Sequence, residues 1–334
     1  MSITLPPPRN FLPDDEDIPL SVKSVRRFAC KQRDSWWTVI LVDPVAIPLV
    51  YCVARFTRIT PNQITWLSFL AGLGAAACFF QSAPEWLVLG ALVYHASFIL
   101  DCMDGKLARI RGNGSLFGGW LDYMLDRVSV LCCALALGFG QWLRHDEPGY
   151  LLLAAAVGFV DLLRYLNGIK VNQVRATMRA DIRSHPAFGD TEPPVFIEHL
   201  MRDRRKRGIE PSAVNGAVID LHKGFRHTFP WYGAARDRLL RSRIRPHLIS
   251  GIEFQMAVFV IGPLLGHVVA PVVVAGVPLL CFELGVVYKL LLSTRDFRET
   301  IRRLDAKAAE HPGASGAGNA DPVSAPGCAA TTAR

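Results

Sequence analysis

Apolar stretches of about twenty residues recur along this sequence, separated by short charged or turn-forming links, and that pattern leaves few folds open. In hydrocarbon each backbone donor and acceptor must be satisfied within its own segment, so such stretches are read as spanning helices. Residues 61–80, 86–107, 116–142, 150–167, 248–269 and 271–292 are the six expected spans. Pro61, directly after Thr60, is a favourable helix start for the first of them. Residues 36–56 are also long enough to span, but Asp43, Pro44 and Pro48 interrupt them. They are read as an interfacial helix or a broken pair of helices, with Trp36 and Trp37 at headgroup level. The expected fold class is an all-α integral membrane protein of six transmembrane helices, with an N-terminal interfacial (juxtamembrane) helix and a long cytosolic insert between helices 4 and 5.

Loop charges set the expected orientation. The links at 81–85, 143–149 and 266–271 hold one Lys or Arg among them, Arg144, whereas the N-terminal segment, the turn at 106–111, the insert and the segment from Lys289 are rich in both. The positive-inside rule then puts both termini and the 106–111 turn in the cytosol, and an even number of spans agrees. The expected location is the cytoplasmic membrane. A net charge of +8 suits anionic headgroups and anionic substrates. Because the basic residues fall in loops between apolar spans, no nucleic-acid partner is expected. The eight cysteines include no CxxC pair and are read as small core residues, the vicinal Cys132 and Cys133 included. Three regions are expected: a Pro-rich, acidic, then basic tail at 1–34, a membrane domain at 35–294 with its basic insert at about 168–246, and a basic, then Gly/Ala/Ser/Pro-rich tail at 295–334.

Chemistry concentrates between the second and third spans. Asp101 and Asp104 stand at i,i+3, and Asp122 and Asp126 at i,i+4, so each pair shares one helix face. Four carboxylates at the edge of hydrocarbon are costly unless a cation or a proton uses them. Two helices that present such pairs to one another form an all-oxygen pocket suited to Mg²⁺ or Mn²⁺. Gly105 leaves room for a bulky group to approach, and Arg109 offers a forked cation for a phosphate. Together these residues point to phosphate chemistry on a nucleotide-like substrate.

The same residues resemble the motif of the CDP-alcohol phosphatidyltransferase family, D-x-x-D-G-x-x-A-R, eight residues, then G-x-x-x-D-x-x-x-D. Asp101, Asp104, Gly105, Ala108, Arg109, Gly118, Asp122 and Asp126 fill it without departure. The resemblance implies a membrane enzyme of phospholipid biosynthesis that moves a phosphatidyl or similar substituted phosphate from a CDP-linked donor, CDP-diacylglycerol first, to an alcohol, with release of CMP. It implies two divalent ions, Mg²⁺ or Mn²⁺, held by Asp101, Asp104, Asp122 and Asp126, with Asp126 also the general base. Gly105, Ala108, Arg109, Ser115 and Gly118, with Asn62, Gln63, Ile64 and Thr65 before the first span, would contact the CDP donor. Expected partners are the CDP-linked lipid, a polar alcohol, membrane lipids and a second copy of the chain. The reverse polarity, a CDP-linked polar alcohol and a lipid acceptor, stays open. So do two readings of other classes, a cation-coupled transporter and a silent scaffold. The transporter gives Gly105 and Arg109 no purpose, and every chemical position is filled, which speaks against the scaffold.

Outside the motif, Asp161 and Arg164 in the fourth span either pair with each other or line the acceptor pocket. Glu253 and Glu283 are expected to face the bundle interior and find partners. Arg175 and Arg179, at i,i+4 on an extension of the fourth span, either bind a phosphate on the acceptor or belong to a headgroup-facing cationic surface with the run at 202–207. Residues 224–232 mix aromatics with Arg226 and His227 and read as an interfacial anchor. His222 and His227 lack a metal-ligand spacing.

Overall fold

Thr60 starts the first long helix by a capping box. Its Oγ accepts from the Gln63 amide at 3.3 Å, and its own amide donates to Gln63 Oε1 at 2.8 Å. The computed structural model describes residues 20–188, 194–197, 218–245 and 250–310. They fall into two compact units, one of residues up to 171 with 226–290 and one of 172–225 with those from 291. In chain order the helices are α1 (Val22–Ala29), α2 (Thr38–Phe56), α3 (Pro61–Gln81), α4 (Pro84–Arg111), α5 (Leu116–His145), α6 (Gly149–Arg183), α7 (Lys223–Thr228), α8 (Pro230–Arg241), α9 (Gly251–Leu265) and α10 (Val269–Glu310). Among the described residues six helices, α2 to α6 and α10, are long and apolar enough to cross a membrane. The acidic tail before residue 20, the run at 202–207 and the tail from His311 lie outside the described residues.

Two expectations change in detail. The span expected at 248–269 narrows to α9, because a capping box of Ser250 and Glu253 starts it and Gly266, left-handed at φ 68°, ends it. α9 is thus shorter than the ~20 residues of an ordinary span. The second change concerns α2. It is not broken at Asp43, Pro44 or Pro48: a π-helical turn, Thr38–Val42, leads into the α-helical part, and Asp43 is buried against Lys106 at 3.1 Å and Arg243 at 3.2 Å. Trp37, expected at headgroup level, is buried, with its ring edge-on to His95 at 5.9 Å.

The flanks of α2 are both fixed to the end of α4. Before it, Ala29 O accepts from Arg109 Nε at 2.5 Å. After it, Thr57 O accepts from Arg111 Nη2 at 2.8 Å, and Ile59 O from Arg111 Nη1. The same end is closed by residues far along the chain. Asp34 N donates to Arg243 O, and Arg245 N to Asp34 O, both at 2.9 Å, while Arg245 Nη2 reaches Asp34 Oδ1 at 2.9 Å.

Close contact between α3, α4 and α5 rests on small residues, which let backbones approach. Ser68 and Ser97 exchange hydroxyl-to-carbonyl bonds at 2.9 and 2.8 Å. Gly140 is the tightest backbone approach: a Cβ there would lie 2.4 Å from Phe80 O and 2.7 Å from Phe79 O. Gly140→Ala is expected to cost about 1–3 kcal/mol, the usual penalty of overpacking, read as a lower unfolding midpoint in detergent. An unchanged midpoint would show that α3 and α5 separate freely there. Phe79 also stacks on Phe259 at 6.1 Å, and Tyr94 lies 4.8 Å from the same ring, so α9 packs on the middle of the bundle. Leu70, Leu92, Leu131 and Leu152 point outward, as lipid-facing side chains do.

In the second unit β1 (Val195–Phe196) pairs in parallel with β2 (Val218–Ile219). His222 Nδ1 lies 2.7 Å from Ser293 Oγ, and His185 Nε2 lies 3.0 Å from Asp305 Oδ1. The 224–232 segment forms most of α7 and the start of α8, with Trp231 exposed. All seven described cysteines are free.

Candidate active site

Gly112, left-handed at φ 64°, stops α4, and Ser115 restarts the chain as α5 by accepting the Gly118 amide at 2.9 Å. This turn reverses the chain, and α4 and α5, both packed on α3, bring Asp122 to Asp101 and Asp104. Each of the three offers a carboxylate oxygen within 4.8 Å of the others. Asp104 is buried and takes a hydrogen bond of 2.5 Å from Thr65 Oγ on α3. Among the described residues no Lys or Arg nitrogen lies within 4.0 Å of any of the three. Three like charges this close need a counter-charge, and an all-oxygen donor set suits a hard divalent ion. The residues therefore fit the metal that the sequence implies.

Asp126 is not one of these three converging carboxylates. It lines the same cavity as Asp101 and Asp122, together with Ser68, Tyr94 and Ser97, yet its carboxylate is bonded to Arg127 Nη2. Arg127 Nη1 bonds in turn to Asp161 on α6, and Asp161 Oδ1 accepts from Gln255 Nε2 on α9 at 2.7 Å. Sequence reasoning missed Arg127 and Gln255. A buried arginine beside the last motif aspartate in an apolar stretch was the available signal, since such a charge demands a partner.

The other expected contacts divide. A Cβ on Gly118 would lie 2.8 Å from Asn62 Oδ1 and 3.0 Å from Ser115 Oγ, so Asn62, Ser115 and Gly118 meet at one spot. Arg109 is exposed on its helix, and a Cβ on Gly105 would come 3.7 Å from its Nη1. Ala108 is half-buried; a Cβ on Gly114 would stand 3.8 Å from its own. Gln63 is committed to the helix cap and Ile64 to the core. Asp161 and Arg164 do not pair with each other: Arg164 Nε meets Glu283 Oε1 at 3.0 Å, and Asn167 Nδ2 holds Glu283 Oε2 at 2.5 Å. Glu253 accepts from the Ser250 amide at 3.0 Å, as a cap. Arg175 and Arg179 lie on α6 in the second unit, while the carboxylates belong to the first.

The sequence of this region matches the family model described as CDP-alcohol phosphatidyltransferase over residues 58–185. Those residues are a CDP-alcohol phosphatidyltransferase domain. Its two acidic helices and the capped start of α3 all fall inside the match. An archaetidylinositol phosphate synthase of Pyrococcus horikoshii is 36% identical over 88 residues, 26% of this chain and 45% of that protein. A phosphatidylinositol phosphate synthase of Corynebacterium glutamicum is 29% identical over 121 residues, 36% of this chain and 52% of that one. A bifunctional IPC transferase and DIPP synthase of Aquifex aeolicus is 40% identical over 101 residues, 30% of this chain and 21% of the relative. The chain thus spans about half, or less, of the length of these relatives.

Proposed function

We propose that this chain transfers a phosphatidyl group, or a closely similar substituted phosphate, from a CDP-linked lipid, CDP-diacylglycerol first, to an alcohol, releasing CMP. The observation that carries the reading is the unneutralised trio Asp101, Asp104 and Asp122, whose oxygens converge within 4.8 Å. These three are the residues to hold divalent ions, Mg²⁺ or Mn²⁺, which when bound supply counter-charge for the donor pyrophosphate and the departing nucleotide. Asn62, Ser115 and Gly118 on one side, and Gly105 with Arg109 on the other, receive the CDP moiety.

Asp126 is assigned to the proton. It faces the cavity beside Asp122, and its bond to Arg127 uses one oxygen, which leaves the other for the acceptor or a cation. The acceptor oxygen bonds to the phosphorus that carries the lipid, the bond from that phosphorus to the CMP oxygen breaks, and the hydroxyl proton passes to Asp126. The names of the relatives make an inositol phosphate the first alcohol to try. For the membrane, α3, α4, α5, α6, α9 and α10 are assigned as six crossings with α2 lying on one face. The Arg- and Lys-rich links then put both termini and the site on the cytosolic side of the cytoplasmic membrane.

Purified protein in detergent, given Mg²⁺ or Mn²⁺, CDP-diacylglycerol and a panel of inositol phosphate, glycerol phosphate and serine, is the decisive assay. CMP and a new lipid of the expected mass should appear with at least one alcohol, and chelation by EDTA should stop both. No CMP with any alcohol and either metal would overturn the proposal. Within the same assay Gly118→Ala should raise the donor KM about tenfold, the equivalent of one displaced hydrogen bond. Its added methyl must push away Asn62 or Ser115. An unchanged KM would remove that corner from nucleotide binding.

A further inference from the structure

Arg127 lies outside the eight motif positions yet grips the last of them. Its two terminal nitrogens bond one to Asp126 and one to Asp161, and its guanidinium carbon sits 3.6 Å from the centroid of the Tyr165 ring. The Arg127 side chain is 10% exposed and that of Asp161 5%, while Asp126 keeps 33%. A line of contacts thus runs from a partly open carboxylate at the cavity, through a buried cation, to α6 and α9. Each link is itself fixed. Tyr165 meets Tyr123 edge-on at 6.0 Å, and the backbone of α9 closes over it, since a Cβ on Gly251 would stand 3.4 Å from the ring. Gln255 holds the second Asp161 oxygen at 2.7 Å.

This geometry is specific to arginine. A planar fork that joins two carboxylates fixes the direction of both, whereas a lysine ammonium is a point charge on a flexible stem. The two acidic motif residues of α5 are thereby sorted. Asp122 has no cationic partner within 4.0 Å among the described residues and joins Asp101 and Asp104, while Asp126, one turn on, is drawn toward α6.

We infer that Arg127, backed by Asp161 and Gln255, is a positioning residue that fixes Asp126 in the orientation from which it serves the acceptor hydroxyl. The inference rests on the reading above, in which Asp126 takes the acceptor proton. It also moves Asp161 from the acceptor pocket into the support behind the base.

Steady-state kinetics in detergent on wild type, Arg127→Gln, Arg127→Lys and Asp161→Asn test it, each variant checked by size exclusion and unfolding midpoint. Arg127→Gln should lower kcat by roughly 100-fold, the cost of a small misplacement of a reacting group, with the donor KM changed by less than about threefold. Arg127→Lys should recover about tenfold of that loss, because the charge beside Asp126 returns while the fork does not. Asp161→Asn should lower kcat about tenfold with KM unmoved, since it loosens the anchor alone. If Arg127→Gln does not fold, Gln255→Leu serves instead, with kcat down several-fold at constant KM. The inference fails if Arg127→Gln keeps a third or more of wild-type kcat. It fails equally if the loss sits in KM, or if Lys and Gln variants fall together with their unfolding midpoints, as a purely structural role dictates. Wild type that releases no CMP overturns the underlying function and this role with it, and so is told apart from a failure of Arg127 alone.

Discussion

Asp126→Asn is expected to cut CMP release about a thousandfold, within the range that removal of a general base produces. The amide keeps the size of the carboxylate but cannot take the acceptor proton. Arg127 retains Asp161 as a partner, so the helices around it have no reason to part. Donor KM should stay within about threefold and the unfolding midpoint close to wild type, because the proposed cation trio of Asp101, Asp104 and Asp122 is left intact. Turnover within tenfold of wild type would take the proton away from Asp126. A collapse of donor binding would make it a cation ligand instead.

The second large effect concerns stability. Asp43→Asn should cost about 3–5 kcal/mol, the penalty for stranding a buried charge. Lys106 is 3% exposed, and without Asp43 its ammonium keeps only the Cys102 carbonyl at 3.2 Å among the described residues. Replacing both partners by apolar residues, Asp43→Leu with Lys106→Met, should recover most of the loss, since a buried ion pair contributes little net stability over well-packed hydrocarbon. Thermal unfolding in detergent reads the series. A single variant as stable as wild type would mean that water reaches Lys106.

The long helices and the site at their ends were legible because both are written at short range. Apolar length marks α3 to α6 and α10, and the i,i+3 and i,i+4 spacing of the aspartates puts each pair on a face. What stayed hidden depends on partners far apart in the chain. Asp161 and Arg164, a plausible pair by spacing, turn to Arg127 and Glu283, which belong to other helices. Trp37 reads as an interfacial anchor until His95 is packed against it. Asp43 looks like a helix breaker in an apolar stretch because its cations, Lys106 and Arg243, lie far along the sequence. Gln63 and Ile64 match the expected nucleotide segment by position, yet capping and core packing claim them. Local pattern gives each residue's face, but tertiary contacts decide what that face meets.

The bridge from Asp34 to Arg243 and Arg245 has a consequence for synthesis. Some two hundred residues separate these partners (sequence separation 211 for the ion pair). At the ribosome, α3 to α6 are therefore made while Asp34 still waits for its cation. The clasp beside the C-terminal end of α4 shuts only when the segment before α9 emerges. A nascent chain arrested short of residue 243 should thus leave that end open to proteases, and release past 245 should seal it.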